Sequence, residues 1–162
     1  MHRGMLPVSI LFLALAVLVG SAVPVFAGEL SLAQVQAQPG QTVTLPMTYQ
    51  AGRTAAAGVA SDIRFDPTVL RNPRCTAGPA LAGTGKDVHC AEPHRGILRM
   101  GIFGLNLAAV PSGEVAQLTF DVAPTARART YRLHQKPSAA NAQGRQLGVK
   151  HTNGAVQVVA NQ

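Results

Sequence analysis

The chain has 162 residues, with 14 Lys and Arg against 7 Asp and Glu and only 13% charged residues in all, where an ordinary domain carries about 25%. At 47% hydrophobic and 4% aromatic, with no Trp, it is too apolar for a disordered tail and too short for a large multidomain enzyme. The same arithmetic excludes a coiled coil and a multi-span membrane protein, and leaves few aromatic rings for a stacking platform.

Residues 1–27 read as a secretory leader. Arg3 supplies the positive start, Leu6 to Val19 form an apolar run broken only by Pro7 and Ser9, and Val25-Phe26-Ala27 offers the small flanks a leader peptidase needs. Cleavage after Ala27 leaves 28–162 as a single exported domain, secreted, periplasmic or held at the cell surface. An uncleaved leader is the competing reading and the only membrane contact foreseen. A span takes about 20 apolar residues, and Gly20, Ser21 and Pro24 interrupt this one. Cys75 and Cys90 both follow the leader, so an oxidising compartment predicts a disulfide between them. Closing so short a loop is worth about 3 kcal/mol. The alternative is a metal held by Cys75, His89, Cys90 and His94, whose spacing matches no zinc pattern.

Alternation with a period of two recurs along the rest of the chain. Leu30–Ala37 predicts a first strand. Val43, Leu45, Met47 and Tyr49 then alternate with Thr42, Thr44, Pro46 and Thr48, after a Pro39-Gly40 turn. Pro46 in the outward set predicts an edge strand, because proline has no N–H for the ladder. Val59, Ser61, Ile63 and Phe65 alternate with Ala60, Asp62 and Arg64, and Asp66-Pro67 ends the strand. Residues 71–96 read as a long irregular loop pinned by its cysteines. In 97–103 the phase is ambiguous: Leu98, Met100 and Ile102 share a face that Phe103 does not, so a bulge at Gly101 or Gly104 is one solution. Ala116, Leu118, Phe120 and Val122 alternate with Gln117, Thr119 and Asp121. A helical turn is allowed at Pro124–Arg129, and 131–135 is a short strand. Asn153-Gly154 predicts a hairpin joining 147–150 to 155–159. About eight short strands without a long helix predict an all-β fold, a two-sheet antiparallel β-sandwich with jelly-roll topology.

Several segments taken together resemble the cohesin family. They are Pro39-Gly40-Gln41-Thr42-Val43, Ala57-Gly58-Val59 leading into Ile63-Arg64-Phe65-Asp66-Pro67-Thr68-Val69-Leu70, Gly96-Ile97-Leu98-Arg99-Met100-Gly101, Ser112-Gly113-Glu114-Val115-Ala116-Gln117-Leu118-Thr119-Phe120-Asp121-Val122, and Asn153-Gly154-Ala155-Val156-Gln157-Val158. The resemblance implies a non-catalytic bacterial sandwich module that binds a protein partner, the dockerin, in assembly or adhesion. Dockerin-gripping cohesins carry an Asn and an Asp on the strand before the aromatic-Asp-Pro motif, where this chain has Gly58 and Ala60.

Reaction chemistry finds no foothold in these residues. Ser31, Ser61, Ser112 and Ser138 lie outside any Gly-x-Ser-x-Gly elbow, and His89, His94, His134 and His151 are tied to no nucleophile by a motif. Gly83-Thr84-Gly85-Lys86 is not a phosphate loop, and no cofactor is implied. The candidate binding residues are the outward positions Asp62, Arg64, Arg99, Gln117, Thr119 and Asp121, with Arg64 and Arg99 able to recognise an acidic partner from one sheet face. A polysaccharide is the second candidate ligand, because carbohydrate-binding modules are similar in fold. Nucleic acid is disfavoured by export. The basic cluster Arg127, Arg129, Arg132 and Lys136 reads as a solubilising edge or a contact for anionic surfaces.

Overall fold

A computed structural model of the chain describes residues 25–160, so the expected leader lies outside the described residues up to position 24. Eleven strands follow in chain order: β1 (Phe26–Leu32), β2 (Gln34–Ala37), β3 (Thr42–Ala51), β4 (Gly58–Arg64), β5 (Leu70–Ala77), β6 (Lys86–His94), β7 (Ile97–Gly104), β8 (Gly113–Val122), β9 (Thr130–Ala140), β10 (Gln146–Thr152) and β11 (Gly154–Val158). They pair in the order β5-β8-β3-β1-β10-β9-β4-β7-β6, with β2 and β11 attached beside β9. The result is the expected jelly-roll sandwich, folded round so that the sheet nearly closes.

Alternation does what the pleat requires. Val43, Leu45, Met47 and Tyr49 of β3 line the core beside Leu118, Phe120 and Val122 of β8 in one layer. Val59 and Ile63 of β4 and Leu98, Met100 and Ile102 of β7 close the core from the other. The Phe65 and Phe120 rings meet edge to face at 5.1 Å across the interior. A bulge in β8 opposite Met47 and Thr48 turns both Val115 and Ala116 inward.

Pairing is antiparallel except along β1–β10 and β2–β11, which are parallel. These two pairs explain most departures from the sequence expectations. The first strand is not one segment over 30–37: it breaks at Ala33, and its halves serve different layers. β10 and β11 break in step with it at Asn153, so the Asn-Gly pair is a crossing point and not a hairpin turn. Pro46 is likewise not at an edge, since β3 lies between β8 and β1. Its carbonyl accepts from Ala33 N–H at 3.0 Å, so the proline nitrogen faces the gap where β1 hands over to β2 and no ladder bond is lost.

Residues 71–96 are also more regular than expected. They contain β5 and β6, separated by a short 3-10 turn at Pro79–Leu81. Both strands have register irregularities next to a proline, Pro73 in β5 and Pro93 in β6. β7 runs without a bulge, and Phe103 stays on its outward phase. Pro124–Arg129 forms a turn closed by Ala126 N–H on Ala123 O, not a helical segment. The Cys75–Cys90 disulfide forms as expected, but it joins β5 to β6, the two outermost strands of the whole order.

Where the strands cross between layers the core holds a polar knot. Gln135 is buried, and its amide nitrogen donates to Leu30 O at 2.8 Å and Thr152 O at 2.6 Å. Its side-chain oxygen accepts from Ser61 Oγ at 3.4 Å, and its backbone N–H donates to Asn153 Oδ1 at 2.9 Å. One side chain thus satisfies the carbonyls that β1 and β10 expose as they leave the ladder.

Candidate functional site

The six outward positions expected to bind all point to solvent, but they divide between two faces. Gln117, Thr119 and Asp121 lie on β8, beside β3 and β5. Asp62 and Arg64 lie on β4 and Arg99 on β7, in the other layer. The structure brings the second trio together and leaves the first on the far side of the molecule.

The β8 face is a self-satisfied polar surface. Thr44 and Thr119 hydroxyls meet at 3.0 Å. Asp121 accepts from Arg74 Nη2 at 2.9 Å, Asn72 Nδ2 at 2.8 Å and Thr42 Oγ1 at 3.0 Å. These donors hold its carboxyl well below the usual aspartate range, with the Arg74 hydrogen bond the largest cause. Asn72 takes φ 50° in the β5 bulge, a conformation asparagine tolerates better than most residues.

The β9-β4-β7-β6 face differs in shape and chemistry. Gly58 and Ala60 on β4 and Ser138 and Ala140 on β9 are small, and register pairs Gly58 with Ala140 and Ala60 with Ser138. They floor a shallow trough, walled by Phe103 on the β7 side and Gln146 on the other. Phe103 is half exposed and stacks on His89 at 4.6 Å. The trough continues past Asp62, Arg99 and Lys136 to Arg64 and His134. Here Arg99 grips Asp62 through two bonds of 2.8 Å, Nε to Oδ1 and Nη2 to Oδ2. That grip pulls the Asp62 carboxyl below its ordinary value, the hydrogen bond from Arg99 being the first cause. With Asp62 neutralised, Arg64 and Lys136 leave this end basic.

Loops extend the apolar end. Leu105 and Leu107 follow β7 and are exposed to solvent. Between them Asn106 is fixed: its Nδ2 donates to Thr84 O at 2.9 Å and its Oδ1 accepts from Ala108 N–H at 3.1 Å. Lys86, buried beneath, donates its ammonium to Ala57 O at 2.8 Å and Asn106 O at 3.3 Å, and burial pushes its pKa down.

Sequence reasoning did not place Lys136, His134 and Ser138 at the site: it read Lys136 as part of a basic edge, set His134 and Ser138 aside for want of a catalytic motif, and ended the strand at 135, whereas β9 runs on to Ala140. It also missed the trough, whose signal is smallness: Gly58, Ala60, Ser138 and Ala140 carry no chemistry until a sheet sets them side by side. Of the basic cluster, Arg129 lies 4.7 Å over the Tyr131 ring and 4.0 Å from Asp66. No three His, Cys, Asp or Glu side chains come together as a metal site among the described residues, and the expected metal alternative gives way to the disulfide.

Comparison with known proteins bears on this geometry. The family model described as the cohesin domain matches residues 28–158. A comparison with curated protein sequences gives no match. Among solved structures, the sixth cohesin of scaffoldin B from Acetivibrio cellulolyticus, solved in complex with the Cel5 dockerin, superposes with a TM-score of 0.70 at 20% identity, over 82% of this chain and 99% of that one. A cohesin from Clostridium acetobutylicum gives 0.71 at 18% identity, over 83% and 92%. A non-cellulosomal cohesin from the archaeon Archaeoglobus fulgidus gives 0.65 at 16% identity, over 81% and 90%.

Proposed function

The chain belongs to the cohesin domain family, and on that premise we propose that it is a non-catalytic module docking a protein partner, of the dockerin kind, on the outer face of β9-β4-β7-β6. The observation that carries this reading is the trough, which puts an apolar end beside a basic end on one rigid surface. Interfaces favour exposed aromatic and Arg side chains around a well-packed centre. The opposite face is capped by its own Thr and Asp hydrogen bonds and has little to offer a partner. A partner fitting the trough presents an apolar ridge followed by acidic groups, which Arg64 and Lys136 attract.

Gly58 and Ala60 change the mode of grip. Where other cohesins project polar anchors, this surface is sunken, so the partner's own side chains fill the depression. The working compartment is the cell exterior, surface or periplasm, in keeping with the disulfide.

Titration calorimetry of the purified domain against a panel of dockerin modules tests the reading. Saturable one-to-one binding by at least one module is the expected result. Retention on insoluble polysaccharide, with no dockerin bound, transfers the function to carbohydrate binding.

A further inference from the structure

The leader was expected to end at Ala27, yet Ala27 is built into the folded domain. Its side chain is fully buried. Its carbonyl oxygen accepts from the buried Tyr49 hydroxyl at 2.8 Å and from Gly52 N–H at 2.6 Å. The residue before it is seated as well: Phe26 pairs with Gly148, and a Cβ at Gly148 would lie 3.0 Å from the Phe26 ring. The Lys150 ammonium sits 5.3 Å from the centre of that ring, and Gly148 N–H donates to Val25 O at 3.3 Å. Gly28 follows a register shift with φ 152°, and a Cβ there would collide with Gln50 O. That backbone conformation has meaning only with a residue joined in front of it.

We propose that the leader is cut at the Ala22–Val23 bond, so that Val25, Phe26 and Ala27 remain as the start of β1. The proposal rests on the export reading above. Gly20 and Ala22 are small residues directly after the apolar run that ends at Val19, the placement that leader peptidases require. The step is a hydrolysis by that membrane-bound peptidase. Water adds across the amide, its oxygen completing a carboxylate on Ala22 and its hydrogen an amine on Val23. A cut at Ala27–Gly28 would instead carry away the acceptor of Tyr49 and Gly52, together with the ring that occupies the Gly148 seat.

The test is expression of the full chain with its own leader in an exporting bacterial host, then intact mass and N-terminal sequencing of the exported protein. The expected sequence begins Val23-Pro24-Val25-Phe26, and Ala22→Leu, which puts a bulky side chain at the cut, abolishes that product. A protein beginning at Gly28 overturns the proposal and leaves export standing. An unprocessed chain retained in the cytoplasm overturns both. In a second measurement, a chain starting at Gly28 melts several degrees below one starting at Val23; identical melting removes the structural ground for the proposal.

Discussion

Cys75 and Cys90 join the two strands that would otherwise be the free margins of the molecule. β5 has β8 on one side and β6 has β7, and the disulfide spans their open sides. Neither strand has a strong apolar stripe, so the cross-link substitutes for burial. Reduction, or the double change C75S/C90S, is expected to lower unfolding free energy by about 3 kcal/mol, measured by chemical denaturation with and without reductant. Because both edges are then released, the reduced protein is also expected to aggregate more readily, read by light scattering.

Gln135 serves carbonyls on two strands at the crossing between layers. Gln135→Leu keeps the volume and removes every side-chain hydrogen bond, leaving Leu30 O and Thr152 O without their donor. The expected loss is about 2–4 kcal/mol, measured by urea unfolding, with the largest rise in hydrogen exchange along β1 and β10. A change below about 0.5 kcal/mol would falsify the role assigned to this knot.

The trough predicts which face matters. Ala60→Arg fills the floor with a long cation and is expected to weaken a bound dockerin module at least tenfold, about 1.4 kcal/mol. Thr44→Arg, on the opposite face, leaves affinity unchanged. Both variants retain the parent melting temperature, because both side chains reach into solvent. Equal losses from the two would move the docking site elsewhere.

Asp62, Asp66 and Asp121 set the acid behaviour. All three carboxyls are held below their ordinary value of 3.8, by Arg99, Thr68 and Arg74 hydrogen bonds respectively. The unfolded chain therefore takes up protons before the folded one. The stabilisation is complete above the ordinary value and disappears as pH falls through the lowered ones. Melting temperature is expected to vary little from roughly pH 5 to 8 and to drop below about pH 4. Asp121→Asn, which loses the charge that Arg74 and Asn72 grip, is expected to flatten that acid limb.

Much of this architecture could be read from the chain because β3, β4, β8 and the inner set of β7 each bury one face and wet the other. β5 and β6 were hidden for the opposite reason. Arg71, Arg74, Asp87, His89 and Glu92 show no run of buried partners, and only the ladder and the disulfide keep those strands in place. Asn153-Gly154 misled because turn chemistry reports local backbone, while β10 and β11 pair not with each other but with β9 and, in parallel, with β1 and β2 more than a hundred positions earlier. For the site, alternation showed correctly that Asp62, Arg64, Arg99, Gln117, Thr119 and Asp121 point outward. It could not say which layer each belongs to, and so it merged two faces into one.

The parallel alignment of β1 with β10 has a further consequence for synthesis. Phe26 waits for Gly148 and Ser31 for Thr152, so the opening strand has no neighbour on one flank until residues 148–152 have been made. A nascent chain stopped short of these residues keeps Leu30 and Leu32 uncovered. Such non-local closure folds slowly, so the opening strand is the last to be locked between its two neighbours.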